Sequence, residues 1–95
     1  MRATELGELS AFVAIADAGS FRRAAARLNL KPSTLSHTLR MLEDRLGVQL
    51  LLRSTRRLSL TEAGQALLTD VRPALERIDA AVERLNQYRE VPAGS

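Results

Sequence analysis

Six apolar residues near the C-terminus, Leu68, Val71, Leu75, Ile78, Val82 and Leu85, recur at intervals of 3, 4, 3, 4 and 3. This is the seam of nearly three heptads along one side of a helix. Thr61 supplies an N-cap for it, with Glu62 near the positive end of the helix dipole. Helical throughout, residues 62–90 extend about 43 Å at about 1.5 Å per residue, more than the small core of a 95-residue chain can cover. A seam left bare on a monomer is a large apolar strip, so self-association is the physical inference. The alternative is that the helix folds back on its own domain. With Leu68 at heptad position a, Pro73 falls at f, where it bends the helix or weakens one turn without plugging the seam. The e and g positions (Arg72, Ala74, Asp79, Ala81, Asn86, Tyr88) lack the systematic opposite charges of a parallel zipper, which favours antiparallel pairing. Residues 91–95 have the composition of a linker or the cut end of a longer chain.

The rest of the chain leaves room for one domain. Apolar residues at 45% and charged residues at 26% describe a globular composition. No apolar run reaches the 18 or so residues of a membrane span, and the N-terminus lacks a secretory signal, so the chain reads as cytoplasmic, with no membrane partner. Zero cysteines remove disulfides, thiolate metal sites and thiol nucleophiles, and the single histidine, His37, makes neither a metal cluster nor an acid–base pair alone. No metal or cofactor is expected.

Charge is unevenly placed. Residues 19–60 hold nine bases (Arg22, Arg23, Arg27, Lys31, Arg40, Arg45, Arg53, Arg56, Arg57) against only Glu43 and Asp44, whereas the segments on either side are each net −2. Thirteen of the fourteen bases are arginine, whose planar five-donor fork suits phosphates and guanine edges. Nucleic acid is the leading partner; the bland alternative is an arginine-rich solvated surface.

Up to the end of that basic segment the periodicity is mostly helical. Leu6, Leu9, Phe12, Val13 and Ala16 mark one face of a first helix stopped by Gly19. Ser20 caps a short second helix, Phe21 to Leu28, and Asn29 tolerates the positive φ of a tight turn whose flanking Leu28 and Leu30 are expected to point inward. Pro32 opens a third helix with a buried stripe of Leu35, Leu39, Leu42 and Leu46, ended by Gly47. The opposite face carries Ser33, Ser36, His37 and Arg40. Two short helices joined by a tight turn, the second exposing small polar and basic side chains, make a helix-turn-helix reader, although any three-helix bundle shares part of the pattern. After Gly47 the period falls to two: residues 49–53 and 57–60 form a small hairpin in which Leu50 and Leu52, then Leu58 and Leu60, are expected to share a face, with Ser54, Thr55 and Arg56 between. A basic hairpin in that place is a wing along the phosphate backbone or simply a solvated hairpin.

The run Ala18-Gly19-Ser20-Phe21 with Ala24-Ala25 and Leu28, then Pro32-Ser33-Thr34-Leu35-Ser36 through Leu42-Glu43, then Leu46-Gly47-Val48, Arg53, Arg56-Arg57 and Leu60-Thr61-Glu62-Ala63-Gly64, resembles the N-terminal DNA-binding domain of a LysR-type transcriptional regulator over about residues 5–90. The resemblance implies a mainly α fold: a winged helix-turn-helix (residues 1–60) on a long dimerising linker helix (61–90), binding double-stranded DNA as a homodimer at interrupted promoter palindromes. It also implies a C-terminal effector domain absent from this sequence, hence no small-molecule effector site within it and a higher oligomer in a full-length parent. Lys31 stands where a serine often caps the recognition helix, His37-Thr38 replaces a common Arg-Gln pair, and Leu51 replaces a frequent phenylalanine. The first two changes lie on the reading face, so target sequence does not transfer from relatives; the third is a core swap.

On this reading Ser33, Thr34, Ser36, His37, Thr38 and Arg40 face bases, Arg40 reaching either a guanine edge or a phosphate and His37 either donating or simply solvated. Ser20 with the N-terminus of the second helix, Arg22, Lys31, Arg53, Arg56 and Arg57 hold phosphates or the minor groove, whereas Arg22, Arg23 and Arg27 are contacts or mere field. Leu68, Val71, Leu75, Ile78, Val82 and Leu85 dimerise. A protein-interaction module pairing its long helix with a different chain is the second reading. An enzyme is the weakest: no carboxylate pair or nucleophile with its base stands at meaningful spacing, and Glu43-Asp44 and Thr61-Glu62 read as helix-surface charge and capping.

Overall fold

The computed structural model describes residues 3–53 and 58–89. It contains α1 (Ala3–Ala18), α2 (Phe21–Leu28), α3 (Pro32–Leu46), β1 (Leu51–Arg53), β2 (Leu58–Leu60) and α4 (Glu62–Arg84), with a closing 3₁₀ turn at Leu85–Tyr88. The α-helical part of the long helix ends at Arg84, and the tighter 3₁₀ turn follows it. The fold is a winged helix-turn-helix carrying a long C-terminal helix.

The core is assembled around α1. Phe12 and Ile15 are fully buried, and Ala11, Val13 and Ala18 nearly so. This burial is wider than the single stripe that spacing suggests, because α2 and α3 cover one side of α1 and α4 another. Gly19, at φ 78°, turns the chain out of α1. Ser20 caps α2 as expected, its Oγ accepting from the Arg23 N–H at 3.0 Å. Ala24 and Ala25 of α2 and Leu35, Leu39 and Leu42 of α3 complete this side.

Two expectations about leucines fail here. Leu28 and Leu30 point outward, 38% and 44% exposed. Asn29 adopts the left-handed conformation (φ 58°), and the Leu30 and Asn29 N–H groups donate to Ala25 O (2.8 Å) and Ala26 O (3.3 Å). This Schellman closure satisfies the backbone while the short side chains of Ala24 and Ala25 take the inward positions. Leu46 is also exposed, because α3 outruns the core in its last turn, before Gly47 turns the chain away at φ 73°.

The hairpin pairs antiparallel with Leu51 opposite Leu60, Leu52 opposite Ser59 and Arg53 opposite Leu58. Leu50 is buried but precedes the ladder, so the two-residue period starts at Leu51. Leu51 therefore faces in with Leu58 and Leu60, and Leu52 faces out. Burial of Leu51 agrees with its reading as a core residue.

α4 starts from Thr61, whose Oγ1 accepts from the Gly64 N–H at 2.9 Å, and continues unbroken through Pro73. Its seam divides. Leu68 is 4% exposed and belongs to the domain's own core, and Val71 and Leu75 pack against that core. Ile78, Val82 and Leu85 are exposed. Folding back on the domain and leaving a bare strip are thus both realised, on successive parts of one helix. Asp17 of α1 and Arg72 of α4 pair beside this contact.

Candidate nucleic-acid interface

The exposed side of α3 follows from its buried one. At about 100° per residue, Ser33, Ser36, His37 and Arg40 fall within an arc of about 100°, opposite the buried Leu35, Leu39 and Leu42. Ser33, His37 and Arg40 are exposed and Ser36 is half-buried. Thr34 is exposed but lies off this arc. Thr38 lies farther round, half-buried, its Oγ1 donating to Thr34 O at 3.0 Å; its hydroxyl proton is committed to its own helix. The six base-reading residues expected from sequence therefore split into four on one strip and two beside it. Asp44 is exposed on the same strip, one turn beyond Arg40. Its negative charge confines an anion-compatible surface to the first half of the helix, a limit that reading the arginines alone does not reveal.

The start of α3 is open to solvent. Lys31 occupies the N-cap position without a side-chain capping bond, and Pro32 follows it. Ser20, half-buried at the start of α2, accepts the Arg23 N–H, leaving its own hydroxyl proton to donate.

The cations separate into two kinds. Arg22, Arg23, Arg27, Lys31 and Arg40 are exposed, and none forms an ion pair among the described residues. Arg45, counted with them in sequence, is a structural residue: its Nη1 donates to Glu8 Oε1 at 2.6 Å, and Glu8 is 5% exposed. This α1–α3 tie joins residues 37 apart. The only sequence sign of it is a carboxylate set within the apolar first helix. Among the described residues of this basic segment the unpaired positive charge therefore lies on α2 and the front of α3, where uncompensated cations attract phosphate.

The wing is anchored from both sides. Glu43, expected as surface charge, is instead 9% exposed, and its Oε2 accepts the N–H groups of Leu50 (2.8 Å) and Leu51 (3.2 Å). From α4, Thr61 donates its hydroxyl to Gln49 O (2.6 Å) and its N–H to Leu50 O (3.0 Å). A Cβ on Gly64 would stand 2.1 Å from Leu50 O, so only glycine lets α4 approach this segment. The sequence offered Glu43 and Gly64 as parts of a family pattern but gave no sign of these bonds. Arg53 closes β1 opposite Leu58; Arg56 and Arg57 lie outside the described residues.

Among the described residues no group of His, Asp and Glu is placed to hold a metal ion, and no helix is long and apolar enough to cross a membrane.

Residues 6–65 match the family described as "Bacterial regulatory helix-turn-helix protein, lysR family". The chain is 44% identical over its full 95 residues to the HTH-type transcriptional regulator PgrR of Escherichia coli K12, covering 32% of that protein. It is 40% identical over 91 residues to CrgA of Neisseria meningitidis, covering 30%. It thus spans about a third of the length of these curated relatives. Among solved structures, the DNA-binding domain of BenM in complex with catB site 1 DNA superposes with TM-score 0.81 at 31% identity, over 92% of this chain and 93% of that one. Full-length AphB, a virulence activator of Vibrio cholerae, gives 0.81 at 32% identity, over 90% of this chain and 28% of that one. Family profile, full-length identity and matching architecture agree: the chain belongs to the LysR family of bacterial helix-turn-helix regulators, of which it carries the winged helix-turn-helix DNA-binding domain.

Proposed function

We propose that this domain binds promoter DNA in the cytoplasm as a symmetric homodimer, at an interrupted palindrome, each protomer laying the front half of α3 in a major groove. The observation that carries this reading is the strip of Ser33, Ser36, His37 and Arg40 beside Arg22, Arg23, Arg27 and Lys31, five exposed cations in all, none of which forms an ion pair among the described residues. On it, Ser33, Ser36 and His37 face base edges and Arg40 a guanine or a phosphate, with Thr34 and Thr38 at the margin. Lys31, Ser20 and Arg22 hold the backbone near the starts of α3 and α2, and Arg53, Arg56 and Arg57 act from the wing on phosphates or the minor groove. Dimerisation uses the exposed end of the seam, Ile78, Val82 and Leu85, with Val71 and Leu75 at its margin. Residues 1–60 supply the contacts to DNA and 61–90 the dimer helix, whose first turns the DNA-contacting unit shares.

Selection of duplexes from a random pool, followed by fluorescence anisotropy, tests this. The selected sites should carry two inverted half-sites about one helical turn, or a multiple, apart. Arg56→Ala should weaken binding to all duplexes and lower the salt slope by about one for each phosphate left unneutralised, whereas His37→Ala should change the preferred bases. Selected sites without two-fold symmetry contradict the dimer; an absence of retained duplex contradicts DNA binding itself.

A further inference from the structure

The carboxylate of Glu43 lies on the same rigid helix as the reading strip, at the core edge behind Arg40, and is almost wholly buried. A carboxylate in that place is costly unless it accepts hydrogen bonds. Two bonds to its Oε2 reach forward, from the successive N–H groups of Leu50 and Leu51, at the point where the chain leaves Gln49 and enters β1. The carbonyls of Gln49 and Leu50 in this segment are held by Thr61 at the head of α4. The root of the wing is thus bonded to α3 on one side and to α4 on the other. A two-stranded ribbon has little stability of its own, and in this hairpin each strand is only three residues long. Its direction relative to α3 therefore depends on the bonds at its root together with the inward packing of Leu51, Leu58 and Leu60.

We infer that Glu43 is a positioning residue for DNA binding: it fixes the wing to the recognition helix so that wing and helix meet one duplex together. The inference rests on the DNA-binding reading above and adds to it a residue that touches no nucleic acid. Because these two bonds run to one acceptor oxygen, Glu43→Gln preserves them, Glu43→Asp keeps the charge but withdraws the oxygen by one methylene, and Glu43→Ala removes it.

The test measures anisotropy on a selected duplex across a salt series, well below each variant's melting temperature, for these three changes with and without Arg56→Ala. Glu43→Gln should bind within about twofold of the parent chain. Glu43→Asp and Glu43→Ala should lose about one to two from the slope of log K against log salt and become insensitive to Arg56→Ala, while keeping the parent's order of preference among duplexes that differ at bases facing α3. Should Glu43→Ala not fold, Glu43→Asp decides. A normal slope and an undiminished Arg56 penalty in folded Glu43→Asp overturn the inference alone. No Arg56 penalty in the parent chain removes the wing from the proposed function and this inference with it.

Discussion

The two ends of α4 carry one uninterrupted heptad pattern, yet they meet different surroundings. Near the head, Leu68 is 4% exposed and Val71 and Leu75 pack against the core. Toward the tail, Val82 and Leu85 are 61% and 60% exposed, and Tyr88 is 82% exposed. Periodicity states only that one face is apolar. What covers it depends on reach: α1 lies beside the middle of α4, along a shallow groove lined by Val13, Ala14, Arg72 and Leu75, and the exposed Val82 and Leu85 lie beyond that groove. The described molecule is 56 Å long but only 25 and 19 Å across. The first half of the seam therefore stabilises the fold, and the second half is free to stabilise an assembly.

The sharpest test of this division is Leu68→Ala. Emptying a fully packed leucine site costs about 2–5 kcal/mol, and each kcal/mol lowers Tm by about 4–8 °C in a domain of this size. Calorimetry showing an unchanged Tm would mean that Leu68 faces outward. Gly64→Ala comes next, because its methyl group collides with the backbone carbonyl of Leu50 rather than with a movable side chain. Denaturant unfolding should show a loss of about 1–3 kcal/mol. Arg72→Ala should cost at most about 1 kcal/mol and less at high salt, since the Arg72–Asp17 side chains are 43% and 42% exposed. A larger, salt-insensitive loss would show that this pair, and not the leucines, holds α4 to α1.

Much of the domain can be read from its residues because the signals are local. Ser20, Asn29, Pro32, Gly47 and Thr61 mark helix ends by backbone chemistry that needs no tertiary partner, and the helices begin and end there. Interior leucines at helical spacing are legible in α3 as far as Leu42, but not at Leu46, where the core gives out before the pattern does. In the hairpin the alternation is visible but its phase is not: Leu50, Leu51 and Leu52 are chemically alike, and only the register with β2 distinguishes them. The long-range polar bonds are invisible. Glu8–Arg45 and Glu43 to Leu50 and Leu51 depend on where separate elements come to rest, and a carboxylate in sequence looks the same on a surface as under a wing. The same blindness makes Arg45 one of nine apparent field charges. Of the candidate interface, the helix, its strip and its direction are legible in the residues, and so is the place of Asp44 four residues beyond Arg40; the pairing that removes Arg45 from the free positive charge is not.

The most direct test is an anisotropy titration of Val82→Asp beside the parent chain, on a selected duplex with two half-sites and on a duplex with one. The substitution lies on an exposed helix surface and should change the stability of the isolated fold by less than about 0.5 kcal/mol. It should nevertheless reduce binding of the two-half-site duplex to the level of the single half-site and make the protein sediment as a monomer. Tight, undiminished binding of the two-half-site duplex by a folded Val82→Asp protein would contradict the account.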